Sequence, residues 1–249
     1  MTRDDAMAGD ARRIAMWSGP RNISTAMMRA WGNRPDTFVC DEPLYAHYLS
    51  VTRKPHPGID EVIAAGETDW RKVTDWLTGD VPEGRSIFFQ KHMAHHLLPG
   101  MDFDWIGQLQ NVLLIREPQE MLTSLIKTTP EAQLEDTGLP QQWQLFEWLQ
   151  SRNDETPLVI DARDVLADPQ SMLNKLCGNL GVAFTDAMLT WPAGPRSTDG
   201  VWAKHWYHEV EKSTGFRPYE PKNEDVPAHW RELLNVCESI YKRLYANRL

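Results

Sequence analysis

Arg21, Ser24 and Thr25 fall together in the stretch MWSGPRNISTAM, residues 16–27. A guanidinium on a turn and two hydroxyls at the start of a helix are groups that hold an anion. Backbone N–H groups and the helix dipole strengthen that attraction. The stretch is not a nucleoside triphosphate loop. In the pattern GxxxxGK[ST] started at Gly19, the second glycine and the lysine fall on Ser24 and Thr25. The lysine that reaches the outer phosphates is missing, which disfavours ATP or GTP hydrolysis. As plain structure, Ser18 or Ser24 would cap the helix that follows. Arg116 and Ser124 form a second pair, eight residues apart. An arginine ending a strand and a serine two turns into the next helix can converge on one group.

The elements that must position these groups are visible as short apolar runs: RIAMW (13–17), TFVC (37–40), SIFFQ (86–90), NVLLI (111–115) and PLVI (157–160). Each reads as a buried strand. Helical patterns lie between them at 24–32, 69–78, 118–127, 140–151 and 169–180, and an amphipathic one closes the chain at 227–246. Strand and helix in alternation predict an α/β fold, a parallel sheet covered on both faces. The segments 52–68, 129–139 and 191–224 read as irregular and are expected to shape a pocket. Ligands of such sheets bind beyond the carboxyl ends of the strands. Charged and polar groups stand there on every run: Arg21, then Asp41-Glu42, Lys91-His92, Arg116-Glu117 and Asp161-Ala162-Arg163.

The 249 residues suffice for one domain, expected over 12–249 behind a disordered polar tail at 1–11. A net charge of −9, without a block of Lys and Arg, argues against nucleic acid and anionic membrane surfaces as partners. Three dispersed cysteines and the lack of an apolar leader predict reduced thiols and a cytoplasmic setting. No apolar run approaches the ~20 residues of a membrane span.

Taken together, the charged stretches resemble the sulfotransferases that use 3′-phosphoadenosine-5′-phosphosulfate. Those enzymes carry a first loop of the type P-[KR]-S-G-T-T. Pro20, Arg21, Ser24 and Thr25 match it, and Asn22 and Ile23 stand where Ser and Gly are usual. Their second signature is a strand ending in Arg, a Pro two residues on and a Ser eight residues on. Arg116, Pro118 and Ser124 match all three. VIDARDVLADPQSMLNKLCGNLGV (159–182) is similar to the family's acidic turn, Asp-Pro and helix, and DGVWAKHWY (199–207) echoes its late nucleotide-closing loop.

The resemblance implies a three-layer α/β/α architecture of the P-loop nucleoside-triphosphate-hydrolase type. It implies transfer of a sulfuryl group from 3′-phosphoadenosine-5′-phosphosulfate to a hydroxyl or amine of a small organic acceptor. The Arg21 loop, with Asn22, Ser24 and Thr25, would hold the phosphosulfate end. Arg116 and Ser124 would hold the 3′-phosphate, and Arg196 or Lys204 would add a late-loop contact. Lys91 would stabilise charge on the leaving phosphate. His92, His95 or Glu42 would be the general base. His92 and His96 are four apart, a zinc spacing on a helix, but no third ligand accompanies them and no metal is implied. Two other readings stand beside this one. A phosphotransferase would need Asp41 or Asp161 as a magnesium ligand, and an inert nucleotide-binding module would share the fold alone.

Overall fold

The computed structural model describes residues 11–153, 156–221 and 224–249. Apart from residue 11, the expected tail lies outside them. Five strands form one sheet: β1 (Arg12–Ser18), β2 (Thr37–Asp41), β3 (Ile87–Met93), β4 (Gln110–Ile115) and β5 (Leu158–Asp161). All neighbours are parallel, in the order β2-β3-β1-β4-β5. The strands read as continuous apolar runs because helices cover both faces.

On one face lie α1 (Ser24–Gly32), α2 (Tyr45–Thr52), α3 (Ile59–Ala65) and, near β5, α7 (Ala162–Ala167) and α8 (Pro169–Asn179). Their Met27, Trp31, Leu49, Val62, Val165 and Leu173 pack with Ile14, Met16 and Phe89 of the sheet. The other face carries α4 (Trp70–Thr78), α5 (Pro118–Leu125), α6 (Leu139–Asn153) and α11 (Arg231–Tyr245). Leu77, Leu122, Phe146 and Leu244 pack there against Trp17, Phe88 and Leu113. The result is three layers, helices on a parallel sheet on helices.

Four helix starts are written locally, among them that of α7, capped by Asp161. Asp69 caps α4 by accepting from Arg71 N at 3.1 Å. Glu117 caps α5 and Asp168 caps α8, each followed by a proline at the first helical position. The structure corrects the expected irregular stretches. The 52–68 stretch begins at the last residue of α2 and holds α3, and 191–224 holds two one-turn helices, α9 (Ala203–Trp206) and α10 (His208–Glu211). Each is eight residues or fewer and lacks a side-chain cap hydrogen bond, so packing rather than local sequence fixes it. No helix among the described residues is long and apolar enough to cross a membrane.

Candidate active site

The chain leaves β1 towards β2 on one side of the sheet, and leaves β4 towards β5 on the other. That divergence is a topological switch point, and it opens a crevice beyond the ends of β1 and β4. A cavity of about 1090 Å³ lies there, reaching over the ends of β2, β3 and β5.

The loop after β1 is tightly built. A side chain at Gly19 would meet Thr137 O at 2.2 Å, so only glycine fits. Arg21 takes a left-handed conformation with φ 56°, uncommon for a residue with a side chain. It turns the guanidinium towards α5, where Nε donates to Ser124 Oγ at 2.8 Å. Arg116, at the end of β4, donates to the Arg21 carbonyl and pairs with Glu120 at 3.2 Å. Burial and the neighbouring Arg116 lower the Arg21 guanidinium from its ordinary pKa. Two cations held this close are relieved by an anion. The start of α1 offers more: Ile23 is its N-cap, no side chain caps it, and no acid sits in its first turn. The expected caps Ser18 and Ser24 do not act. Ser24 and Thr25 line the cavity at this helix end, where N–H groups and dipole favour negative charge.

A second cluster sits at the ends of β2 and β3. Lys91 is 1% exposed. Its Nζ reaches Asp41 Oδ1 at 2.8 Å, Glu42 Oε1 at 2.5 Å and Tyr207 Oη at 2.8 Å. Tyr207 Oη in turn donates to Asp41, and Gly200 N donates to Asp41 Oδ2 at 3.1 Å. The carboxylates hold the Lys91 ammonium well above its ordinary pKa despite burial, so it stays charged. Burial, with Asp41 beside it, pushes the Glu42 carboxyl upward, and Lys91 opposes that. Glu42 is also left-handed, with φ 44°. Glu42 lines the cavity, and its second oxygen lies 4.0 Å from His96 Nε2.

The late segment is a fixed wall. Arg29 of α1 and Asp199 form a bidentate buried ion pair at 2.5 and 2.7 Å. With the Gly200 and Tyr207 contacts it pins this segment to α1 and β2.

Of the residues expected from sequence, Arg21, Asn22, Ser24, Thr25, Glu42, Lys91, His95, Arg116 and Ser124 line one cavity. Three do not. His92 points to the opposite face of the sheet, because β3 runs on to Met93 and successive side chains alternate. There it stacks on Trp17 at 4.1 Å and meets Gln90 Oε1 at 3.2 Å. Its place in a strand also removes the helical zinc spacing with His96. Arg196 donates to Pro192 O at 3.0 Å, and Lys204 pairs with Glu61 at 2.5 Å, both outside the cavity lining. Asn22 lines the cavity, but its side chain bonds Leu114 O at 3.0 Å and Ile23 N at 2.8 Å and so holds the loop.

Arg163, Arg217 and Tyr219 also line the cavity. The Arg163 guanidinium lies 5.0 Å from the Tyr219 ring centre, and Tyr219 Oη donates to Glu120 at 2.5 Å. Arg163 had a signal, its place at the end of β5. Arg217 and Tyr219 had only the expectation that 191–224 shapes a pocket. Asp161 is committed to capping α7 through Arg163 N at 2.7 Å and to Tyr241 at 2.8 Å.

Comparison with known proteins bears on these features. A family model described as the sulfotransferase domain matches residues 12–247. Branched-chain-amino-acid aminotransferase-like protein 2 of Arabidopsis thaliana is 34% identical over 232 residues, 93% of this chain and 41% of the relative. The related protein 1 is 35% identical over the same shares. The chain therefore spans about 41% of the length of these curated relatives. The fold is similar to the sulfotransferase domain from the curacin biosynthetic pathway, with TM-score 0.52, 14% identity and coverage of 94% of this chain and 98% of that one. It is similar also to a sulfotransferase from Alicyclobacillus acidocaldarius, with TM-score 0.51, 14% identity and 96% of each chain covered. The chain belongs to the sulfotransferase domain family.

Proposed function

We propose that this chain transfers a sulfuryl group from 3′-phosphoadenosine-5′-phosphosulfate to a hydroxyl or amine of a small organic acceptor. The observation that carries the reading is the junction of Arg21, Ser124 and Arg116 at the switch point, beside the Lys91–Glu42 cluster. The uncapped start of α1 and two neighbouring guanidiniums fit the donor's phosphates.

Sulfuryl transfer asks the protein for positioning and charge stabilisation more than covalent work. Arg21 and the start of α1 would hold the phosphosulfate end. Arg116 and Ser124 would hold the 3′-phosphate, where charge-assisted hydrogen bonds contribute roughly 1.5–3 kcal/mol each. The acceptor oxygen or nitrogen forms a bond to sulfur as the bond from sulfur to the 5′-phosphate oxygen breaks. The acceptor's proton goes to Glu42, which lines the cavity and whose raised pKa suits a base. Lys91, kept charged with its three N–H groups on Asp41, Glu42 and Tyr207, would act on the departing bisphosphate through its field rather than by a direct hydrogen bond.

The phosphotransferase reading loses its magnesium ligands. Asp41 is held by Lys91, Tyr207 and Gly200, and Asp161 by a helix cap and Tyr241.

The test is incubation with donor carrying a radioactive sulfuryl group and a mixture of hydroxyl and amine acceptors. Label appearing in an organic product, lost in Arg21→Ala, is expected. Label transfer from ATP-Mg²⁺ instead, with none from the sulfuryl donor, would contradict the reading.

A further inference from the structure

The three N–H groups of the Lys91 ammonium are taken by Asp41, Glu42 and Tyr207, so those partners set its place beside Glu42. Asp41 meets Tyr207 Oη with both oxygens, at 2.8 and 2.7 Å, and Lys91 with Oδ1. Its Oδ2 also accepts from Gly200 N at 3.1 Å. Without that N–H, and among the described residues, the Asp41 carboxylate would rest only on Lys91 and Tyr207, the groups it has to place.

Gly200 is itself placed by its neighbours. Asp199 meets Arg29 with both oxygens, at 2.5 and 2.7 Å, and the two side chains are 4% and 3% exposed. Asp199 Oδ2 also accepts from Arg196 N at 2.8 Å, so the turn folds around this carboxylate. A side chain on Gly200 would fall 2.1 Å from the Trp202 ring, so the close approach requires glycine.

Stability is a weak account of the Arg29–Asp199 pair. Two buried charges lose hydration that their attraction offsets only in good geometry, and apolar residues of similar volume often serve as well or better. What an apolar pair lacks is direction. The planar guanidinium fork binds a carboxylate in a fixed orientation, and here that orientation aims the next backbone N–H at Asp41. Arg29 stands on α1, whose first residue, Ser24, lines the anion cradle. The helix that faces the donor phosphates thus also indexes the base cluster.

We propose that Arg29 and Asp199 are positioning residues for the reaction: they hold the Gly200 N–H on Asp41 and, through Asp41, set Lys91 and Glu42 against the donor. Neither residue lines the cavity. They act from behind the site, through a chain of contacts that runs Arg29, Asp199, Gly200, Asp41, Lys91, Glu42. This rests on the sulfuryl-transfer reading and adds to it the residues that align its base.

The test is the double variant Arg29→Met/Asp199→Leu, which removes both charges and keeps apolar volume. It should fold, bind adenosine 3′,5′-bisphosphate within about threefold of the parent, and lose kcat roughly 10- to 100-fold, as misplaced catalytic groups do. Arg29→Lys, which keeps the charge and loses the fork, should lose kcat severalfold. Parent kcat in a folded double variant overturns the proposal, as does a loss that falls on bisphosphate affinity and not on kcat. If the double variant does not fold, Arg29→Lys decides, and parent kcat there overturns it. A second readout needs no turnover. A buried ammonium held on three partners keeps its protons long enough to give a ¹H–¹⁵N signal, assigned by its loss in Lys91→Met. That signal should be present in the parent and shifted or lost in the folded variants. Its absence from the parent, or an unshifted signal in the variants, overturns the proposal. If the parent transfers no sulfuryl group, the sulfuryl-transfer reading fails, and the Lys91 signal then tests the positioning by itself.

Discussion

Arg21 Nε donates to Ser124 Oγ at 2.8 Å, joining the loop after β1 to the helix after β4 across 103 residues of chain. Arg116 closes the junction by donating to the Arg21 carbonyl. If this junction holds a 3′-phosphate, Arg116→Ala should weaken adenosine 3′,5′-bisphosphate by roughly 10- to 100-fold, the worth of one charge-assisted bond. ADP should lose far less. Ser124→Ala should cost the bisphosphate about 2- to 10-fold. Calorimetry with both ligands checks this, and equal losses for ADP would contradict it.

Glu42 lines the cavity with one oxygen on Lys91 and the other 4.0 Å from His96 Nε2. Glu42→Gln should lower kcat by roughly 10²- to 10⁴-fold and leave bisphosphate affinity nearly unchanged. Its carboxyl is pushed above the ordinary 4.5. The rate should therefore rise with pH through a pKa above the usual carboxylate range, as the base loses its proton. A pH–rate profile shows this limb, and its survival in Glu42→Gln would exclude Glu42 as the base.

Tyr207 bridges Lys91 and Asp41 and ties them to the late segment through Trp202 at 3.3 Å. Tyr207→Phe leaves these groups short of a partner. A stability loss of about 1–3 kcal/mol is expected. A kcat loss of roughly 10- to 100-fold should accompany it as Lys91 loses its alignment, with bisphosphate affinity kept. Lost affinity together with unchanged kcat would place Tyr207 on the donor side instead.

His92 is buried against Trp17, and burial lowers its pKa to about 3. The unfolded chain binds a proton there near the ordinary pKa of about 6.5, and the folded chain does not. Stability from this group is thus present above about 6.5 and lost as pH falls towards 3, by up to about 1.4 kcal/mol per pH unit. His92→Phe should remove this share of the slope, leaving that of the buried His56, His95 and His96, and keep activity within about threefold, since the side chain lies off the cavity. Denaturant titrations from pH 7.5 to 4, paired with an assay, check both. A hundredfold loss of activity would return His92 to the site.

All five strands were legible because burial on both faces writes them as unbroken apolar runs. The long helices were legible through their period and, at Pro118 and Pro169, their starts. The short α2, α3, α7, α9 and α10 were not, since one or two turns carry too little local signal to compete with loops. Within the site, Arg21, Ser24, Thr25, Arg116 and Ser124 could be read from strand ends. His92 was misplaced for a simple reason. The apolar run stops at Gln90 while the strand continues to Met93 through charged and polar residues. That extension decides which of Lys91 and His92 faces the cavity. Arg196 and Lys204 lie on the expected loop, which the Arg29–Asp199 pair holds, a contact 170 residues apart that no local pattern reports, but their side chains bond Pro192 and Glu61 instead of lining the cavity.

The central claim is that the switch-point crevice holds a nucleotide with a 3′-phosphate. A thermal-shift titration with adenosine 3′,5′-bisphosphate, run beside ADP and ATP-Mg²⁺, tests it most directly. The account predicts stabilisation that grows with bisphosphate concentration as mass action requires, with much smaller shifts for the other two. No shift with the bisphosphate, and a clear one with ATP-Mg²⁺, would contradict it.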